Sequence, residues 1–205
     1  MNIFITATNT NIGKTYTTLK LIKALSQKGY KVGVFKPIET GVEKYPLDGY
    51  KLFNEAKKYN QDLNKLSLND IVPIQFKLPA APIVAGEVDF SKIDIAYKKI
   101  KSICDILLIE GAGGIKVPVT NNFCMFDFIK YFNAKSFLVV QSKLGCINDL
   151  ELNLEFFTPD IWAINLFDEN FYTITYPYLK EKYKEVLIIQ KDLDKITQKL
   201  LKDNL

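Results

Sequence analysis

Residues 6 to 16, TATNTNIGKTY, contain the groups of a phosphate-binding loop. They end in Gly13-Lys14-Thr15, which matches the close of the P-loop pattern G-x-x-x-x-G-K-[ST]. In such a loop backbone N–H groups face the phosphates, the lysine reaches the β- and γ-phosphates, and the last hydroxyl ligates Mg²⁺. A bare Gly-Lys-Thr is a weak signal, and the alternative is a strand-turn-helix with a lysine on its rim. Ala7 stands near the place of the first glycine, one position further out than the pattern allows.

A lysine and a carboxylate that suit the same chemistry follow along the chain. Lys36 opens the loop KPIETG after the apolar run VGVF, where its ammonium can neutralise charge on a transferring phosphoryl group. Glu110 ends the run DILLIE and precedes several glycines, which is the Walker B arrangement of an acid that reaches Mg²⁺ directly or through water. The alternatives are a strand-end lysine in water and an exposed glutamate beside a glycine-rich turn.

Two helix starts hold further candidates. Asp48 opens the helix after the second loop, and it is either a cap for that helix or a third oxygen ligand for Mg²⁺. Gly145 begins a turn in SKLGCIND, and a helix starts near Ile147. The N-terminus of such a helix can hold a carboxylate, or the segment is an ordinary turn between a strand and a helix.

Strand-like and helix-like patterns alternate along the chain, and this order positions the candidates. Apolar runs predict strands at 2–6, 31–36, 105–110, 136–141 and 161–165. Helical periodicity predicts helices at 14–28, 48–59, 91–103, 124–132, 147–156, 177–184 and 191–202. We predict one α/β domain over 1–205, a doubly wound, mostly parallel sheet of the P-loop NTPase type with helices on both faces. Ligands in that architecture bind beyond the carboxyl ends of the strands.

The composition excludes several other kinds of chemistry. The chain has no histidine and no arginine, so imidazole bases are absent and all 27 basic residues are lysines. Lysine ammonium and backbone N–H groups must then hold any phosphate or carboxylate. The net charge of +4 is modest and scattered, so we expect no nucleic-acid partner. No apolar run is long enough for a membrane span, and no signal peptide is recognisable. The three cysteines are far apart in the sequence and suggest free thiols, which suit the cytoplasm. We therefore expect a cytoplasmic protein.

Taken together, these segments resemble the dethiobiotin synthetases, a family of P-loop enzymes of biotin biosynthesis. The family's first motif, G-T-D/N-T-x-V/I-G-K-T, has one more residue between its glycines than the common P-loop. The longer spacing is therefore the family's own, and Ala7 occupies its first glycine position. The later family motifs follow in order up to about residue 165: K-P-x-x-S/T-G at 36–41, the aspartate at Asp48, E-G-A-G-G at 110–114 and L-G-x-I-N at 144–148.

The sequence departs from the family pattern at several positions. Ala7 adds a methyl group that can narrow the loop, and Ile83 follows Pro82 where the family has histidine. The last forty residues match poorly. The family holds adenine with Asn-Asp after a late strand, but here Leu166 follows Asn165, so only an amide remains to pair with a base edge. The alternative is that groups near 172–178 or 188–192 rebuild an adenine pocket.

The resemblance implies an ATP- and Mg²⁺-dependent synthetase that acts on 7,8-diaminopelargonic acid and CO₂. A carbamate of the substrate attacks the γ-phosphate, and the resulting carbamic-phosphoric anhydride closes to the ureido ring of dethiobiotin. It also implies a homodimer with the site at its interface, so that the residues for the substrate's carboxylate come from the neighbouring subunit.

The resemblance assigns roles to individual positions of this chain. Lys14, Lys36 and Thr10 act on the transferring group. Nucleotide binding falls to Asn11, Ile12, Gly13, Lys14, Thr15, Tyr16, Asp48, Glu110, Gly111, Ala112, Gly113 and Asn165. Mg²⁺ is assigned to Thr15, Asp48 and Glu110. Substrate binding is assigned to Thr40, Gly145, Cys146, Ile147 and Asn148.

The main rival hypothesis is a nucleotide switch of the partition or division-site type, which shares the fold and binds a protein or a membrane. That group has a further lysine five residues before the P-loop lysine, where this chain has Asn9. Its members can end in a membrane-binding helix, which Leu193, Ile196, Leu200 and Leu201 with nearby lysines could imitate. We expect that helix to pack on the core instead. A corrin-amidating synthetase is disfavoured, since its glutamine-hydrolysing domain needs a histidine.

Overall fold

The computed structural model describes residues 1–202 and contains a five-stranded parallel sheet. Its strands are β1 (Asn2–Ala7), β2 (Val32–Phe35), β5 (Ile106–Glu110), β8 (Lys135–Gln141) and β9 (Ile161–Asn165). Two small sheets are formed by β3 (Ile38–Thr40) with β4 (Ile74–Phe76), and by β6 (Pro118–Thr120) with β7 (Phe123–Cys124).

Ten α-helices accompany the strands in the described residues, with one 3₁₀ helix at Gln61–Lys65. The longer ones are α1 (Lys14–Gln27), α2 (Leu47–Lys57), α5 (Phe90–Lys101), α7 (Cys146–Phe156), α9 (Tyr176–Tyr183) and α10 (Leu193–Leu201). The short ones are α3 (Leu68–Ile71), α4 (Pro82–Ala85), α6 (Asp127–Tyr131) and α8 (Phe171–Ile174).

The strand order of the main sheet is β2-β5-β1-β8-β9, and every pairing is parallel. The carboxyl ends of all five strands therefore meet at one edge. The chain leaves the central strand β1 to one side through β2 and β5, and it later builds the other side through β8 and β9. The loop after β1 consequently opens where the direction of winding reverses, which is the usual ligand crevice of such sheets.

The sheet is covered on both faces, as its uninterrupted apolar strands predict. Phe137 and Val139 of β8 belong to the larger apolar cluster, with Leu21 of α1. The alternate residues Leu138 and Val140 belong to a second cluster with α7 and α9. The predicted doubly wound α/β fold is thus confirmed.

The five predicted sheet strands and most predicted helices are present, with ends displaced by a few residues. The helix predicted at 124–132 is shorter, because Phe123 and Cys124 pair with β6 and leave only Asp127–Tyr131 helical. Periodicity did not predict β3, β4, β6, β7 or the four-residue helices, which are too short to repeat a pattern.

The C-terminal region completes the core. Ile196 and Leu200 of α10 are fully buried in the larger cluster, and α10 packs against α1 and β9. Ahead of that helix, Ile188 forms an isolated parallel bridge with Ile164 of β9. In the described part of the chain, no helix is both long and apolar enough to cross a membrane.

Candidate active site

The P-loop connects β1 to α1 at the crevice, and its turn depends on two residues with positive φ. Asn11 has φ 60°, and Gly13, which caps α1, has φ 95°. A Cβ atom at Gly13 would lie 2.0 Å from Nδ2 of Asn165, so a side chain does not fit there. Ala7 is fully buried at the end of β1, in register with Val139. Its methyl group therefore packs in the apolar core and does not line the cavity.

Lys14 lies in the crevice with its ammonium on backbone carbonyls. Its Nζ donates to the oxygens of Gly113 at 2.7 Å and Asn9 at 3.2 Å. Burial, and then the charge of Lys36, lowers the pKa of Lys14 to about 8. This lysine has no carboxylate partner among its hydrogen bonds to the described residues, so an incoming anion can take its charge.

A buried ion pair joins the second loop to the end of β5. Lys36 Nζ lies 2.9 Å from Oε1 of Glu110, and both side chains are nearly inaccessible. Glu110 also accepts hydrogen bonds from the hydroxyls of Thr15 at 2.9 Å and Thr18 at 2.8 Å. Burial opposes both charges, but Glu110 holds the pKa of Lys36 above its usual value and Lys36 holds the pKa of Glu110 below its usual value. The pair therefore stays charged.

Glu39 is a cavity residue that the sequence did not indicate. It lies in β3, three residues after Lys36, and is only 7% exposed. Its carboxylate accepts from the backbone N–H groups of Asp48 at 3.0 Å and Gly49 at 2.9 Å. It thereby caps α2, whose own N-cap, Pro46, makes no side-chain bond. Asp48 is thus not the helix cap, and it lies at the cavity wall. Burial raises the pKa of Glu39.

These residues surround a cavity of about 800 Å³, within the range of small-molecule sites. Among the predicted site residues, it is lined by Thr10, Asn11, Gly13, Lys14, Thr15, Tyr16, Lys36, Thr40, Asp48, Ala112, Gly113 and Asn165. Ile12, Glu110 and Gly111 are buried behind the lining. Glu110 reaches the cavity only through its contacts with Thr15 and Lys36.

The predicted carboxylate site at the start of α7 lies elsewhere. Gly145, Cys146, Ile147 and Asn148 are not among the described residues that line the main cavity. Asn148 borders a separate hollow with Glu151 and Tyr183. The sequence-based assignment to a neighbouring subunit is compatible with this separation and stays a prediction.

The far wall of the cavity is formed by the end of β9 and the segment after it. Leu166 and Phe167 supply apolar surface, and Gln190 supplies an amide from the C-terminal region. The sequence could have indicated Leu166 as a cavity residue, because it directly follows a strand of the parallel sheet. Gln190 lies in the segment 188–192 that the sequence offered as an alternative pocket wall, but no pattern singled it out.

Comparison with known proteins places the chain among named enzymes. The AAA domain profile matches residues 1–165. The ATP-dependent dethiobiotin synthetase BioD of Sulfurovum sp. (strain NBC37-1) is 45% identical, over 86% of this chain and 89% of the relative. The enzyme of the same name from Wolinella succinogenes is 36% identical over 97% of both chains.

Solved structures share the fold at much lower identity. A plasmid partition protein from Borrelia burgdorferi superposes with a TM-score of 0.51 at 13% identity, covering 98% of this chain and 95% of that one. This likeness supports the P-loop fold alone, and it gives no preference to a partition function.

Proposed function

The chain belongs to the family of ATP-dependent dethiobiotin synthetases, and we propose that the cavity over its P-loop is where the ureido ring of dethiobiotin is closed. The proposed substrates are 7,8-diaminopelargonic acid, CO₂ and ATP. The observation that best supports this site is the convergence of Lys14, Lys36 and the Thr15–Glu110 pair on one cavity.

The proposed reaction has three steps. One amine of the substrate adds to CO₂ and loses a proton, which gives a carbamate. A carbamate oxygen attacks the γ-phosphorus of ATP, and the bond from that phosphorus to the bridging oxygen breaks to release ADP. The second amine attacks the carbonyl carbon of the carbamic-phosphoric anhydride, loses a proton and expels phosphate. Since each step redistributes negative charge among oxygens, placed cations and backbone donors can stabilise it.

Different cavity residues serve different parts of this reaction. The ammonium groups of Lys14 and Lys36 neutralise the γ-phosphate and carbamate oxygens. The hydroxyl of Thr10 donates near the transferring group, and Thr40 contacts the diamine or carbamate end. Lys14 exchanges its carbonyl partners for phosphate oxygens when ATP binds.

The oxygen donors at the cavity floor fit Mg²⁺, which prefers one or two carboxylates together with substrate phosphates and water. Thr15 and Asp48 line the cavity, and Glu110 lies behind Thr15. Within residues 1–202, no cluster of three His, Cys, Asp or Glu side chains offers a complete metal site. When bound, Mg²⁺ would supply charge neutralisation for the phosphate oxygens.

The substrate's carboxylate tail requires a separate binding region. We assign it to Gly145, Cys146, Ile147 and Asn148 at the N-terminus of α7 in a second subunit of a cytoplasmic homodimer. The open space around Gly145 and the fully exposed Leu144 support this assignment. A helix N-terminus favours a negative charge.

An ADP-release assay tests the proposed function. ADP should appear only when 7,8-diaminopelargonic acid, bicarbonate as CO₂ source and ATP·Mg²⁺ are all present. ADP release that ignores the diamine contradicts the synthetase function and supports a nucleotide switch. Cosedimentation with liposomes distinguishes the membrane-binding form of that rival.

Replacing Asp48 with asparagine is expected to raise the Mg²⁺ concentration for half-maximal turnover about tenfold, because a carboxylate oxygen is replaced by a weaker amide ligand. The fold should stay intact, since Glu39 and not Asp48 caps α2. Magnesium titrations at saturating ATP measure the effect. A lower melting temperature with an unchanged magnesium dependence would show that Asp48 serves only the helix.

Nucleotide affinity is expected to fall as the pH rises through about 8. Lys14 has a pKa of about 8 before nucleotide binds, and triphosphate charge raises the pKa of a neighbouring ammonium. Binding therefore takes up a proton above pH 8, and the affinity should drop about tenfold or more between pH 7.5 and 9.5. Calorimetry in buffers of different ionisation enthalpy measures that proton. A flat pH dependence over this range contradicts the assignment of Lys14.

Base selectivity is expected to be loose. Leu166 and Phe167 offer apolar contact to any base, and discrimination requires buried polar groups that the wrong base leaves unpaired. GTP or CTP should support turnover within about tenfold of ATP, equivalent to ~1.4 kcal/mol. Values of kcat/KM for the three nucleotides decide this. A preference for ATP above about a hundredfold would instead point to Gln190 and its segment as a rebuilt adenine pocket.

A further inference from the structure

The last strand of the main sheet ends in a buried amide that contacts the phosphate loop directly. Asn165 closes β9 and is 3% exposed. Its Nδ2 donates to the carbonyl oxygen of Ile12 at 2.9 Å, across 153 residues of chain. The next loop residue, Gly13, is so close to this amide that a Cβ atom there would overlap it. Asn165 therefore touches two consecutive residues of the loop.

Gln190 fixes which way this amide points. Its Nε2 donates to Oδ1 of Asn165 at 2.7 Å, so the oxygen of Asn165 faces Gln190 and the nitrogen faces the loop. Leu166 holds Gln190 in turn, because its N–H donates to Oε1 at 3.1 Å and its carbonyl accepts from Nε2 at 3.2 Å. Both ends of the Asn165 amide are thus engaged within the protein.

We propose, on the basis of the proposed nucleotide function, that Asn165 is a positioning residue of the phosphate loop. The Ile12 carbonyl and the Gly13 N–H belong to one trans peptide plane and point in opposite directions. Anchoring the carbonyl therefore fixes the direction of a phosphate-binding donor.

The backbone conformation of the loop explains why a hydrogen bond from Asn165 is needed there. The turn has positive φ at both Asn11 and Gly13, and a non-glycine residue in that region is strained unless its surroundings hold it. The hydrogen bond from Asn165 ties this strained turn to the rigid end of β9. Gln190 supports the same contact from the C-terminal segment.

Binding of tripolyphosphate tests the proposal, because this ligand has the phosphates of ATP but no base. Calorimetry with Mg²⁺ would compare tripolyphosphate and ATP for the unaltered protein, Asn165→Ala and Gln190→Ala. Asn165→Ala should weaken tripolyphosphate binding about tenfold and ATP binding by at least as much. Gln190→Ala should weaken both by about threefold. Asn64→Ala, an exposed asparagine in the 3₁₀ helix, is the matched control and should bind normally.

Three results would overturn the proposal. Weakened ATP binding with normal tripolyphosphate binding would make Asn165 a reader of the base. A lower melting temperature with both affinities unchanged would make the contact purely structural. If the unaltered protein binds neither ligand, the nucleotide function itself fails. Should Asn165→Ala not fold, Gln190→Ala alone decides, and normal tripolyphosphate binding by that variant refutes the positioning role.

Discussion

Replacing Lys36 with alanine is expected to lower kcat by a factor of about 10² or more. The chain has no arginine, so Lys36 is one of two ammonium groups among the described cavity residues that can neutralise the transferring group. The substitution also leaves Glu110 buried without its partner, which is expected to cost about 3–5 kcal/mol of unfolding free energy. Steady-state kinetics and chemical denaturation measure the two effects.

A double variant separates catalysis from stability. Lys36→Met with Glu110→Gln removes both charges and keeps similar volumes, so stability should largely return while turnover stays low. Lys98→Ala, an exposed lysine of α5, is the control for loss of a positive charge. Near-normal turnover in either Lys36 variant would show that the ion pair serves only the fold.

Replacing Gly13 with alanine is expected to lower kcat/KM for ATP by a factor of about 10² or more. The new Cβ would lie 2.0 Å from Nδ2 of Asn165, so the loop or the amide must move away. Either movement displaces the backbone donors from the phosphates, and misplacement on this scale costs about 10²-fold.

Gly29→Ala provides a control matched in backbone conformation. Gly29 has φ +92°, and no atom lies within 4 Å of the place that a Cβ atom would take, so alanine there adds backbone strain without a clash. It should lower stability by about 1–2 kcal/mol and leave kcat/KM nearly unchanged. If Gly13→Ala and Gly29→Ala had the same kcat/KM relative to the unaltered protein, the contact between residue 13 and Asn165 would not explain the effect of Gly13→Ala.

The sequence predicted the main sheet because its strands are continuous apolar runs with helices between them. It also predicted most cavity residues, since parallel strands bring the loops after β1, β2 and β5 to one edge. Lys36 and Thr15 follow directly from that rule, whereas Asp48 was predicted at the start of the next helix. The sequence could therefore predict that two motifs lie close together in space wherever each of them follows a strand of the same parallel sheet.

Other site contacts had no sequence signal. Glu39 caps α2 by accepting from backbone N–H groups, and no side-chain pattern in the sequence marks such partners. The amide of Asn165 bonds to Ile12 and Gln190, which the sequence did not indicate, while its predicted contact with a base edge stays a prediction. These contacts join segments that no local periodicity relates. In the proposed homodimer, the α7 N-terminus would reach the cavity from a second subunit, and the sequence of one chain does not specify that arrangement.

The bridge beside β9 bears on how the protein avoids self-association. β9 is an edge strand, and an open edge is a template on which another chain can add a strand and aggregate. Here Leu187 accepts from the N–H of Ile164 at 2.8 Å, and the N–H of Ile189 donates to the carbonyl of Ile164 at 2.9 Å. The middle of the edge is thereby occupied by the chain's own backbone. Deletion of residues 187–190 would expose the edge of β9 to intermolecular pairing and remove Gln190 at the same time.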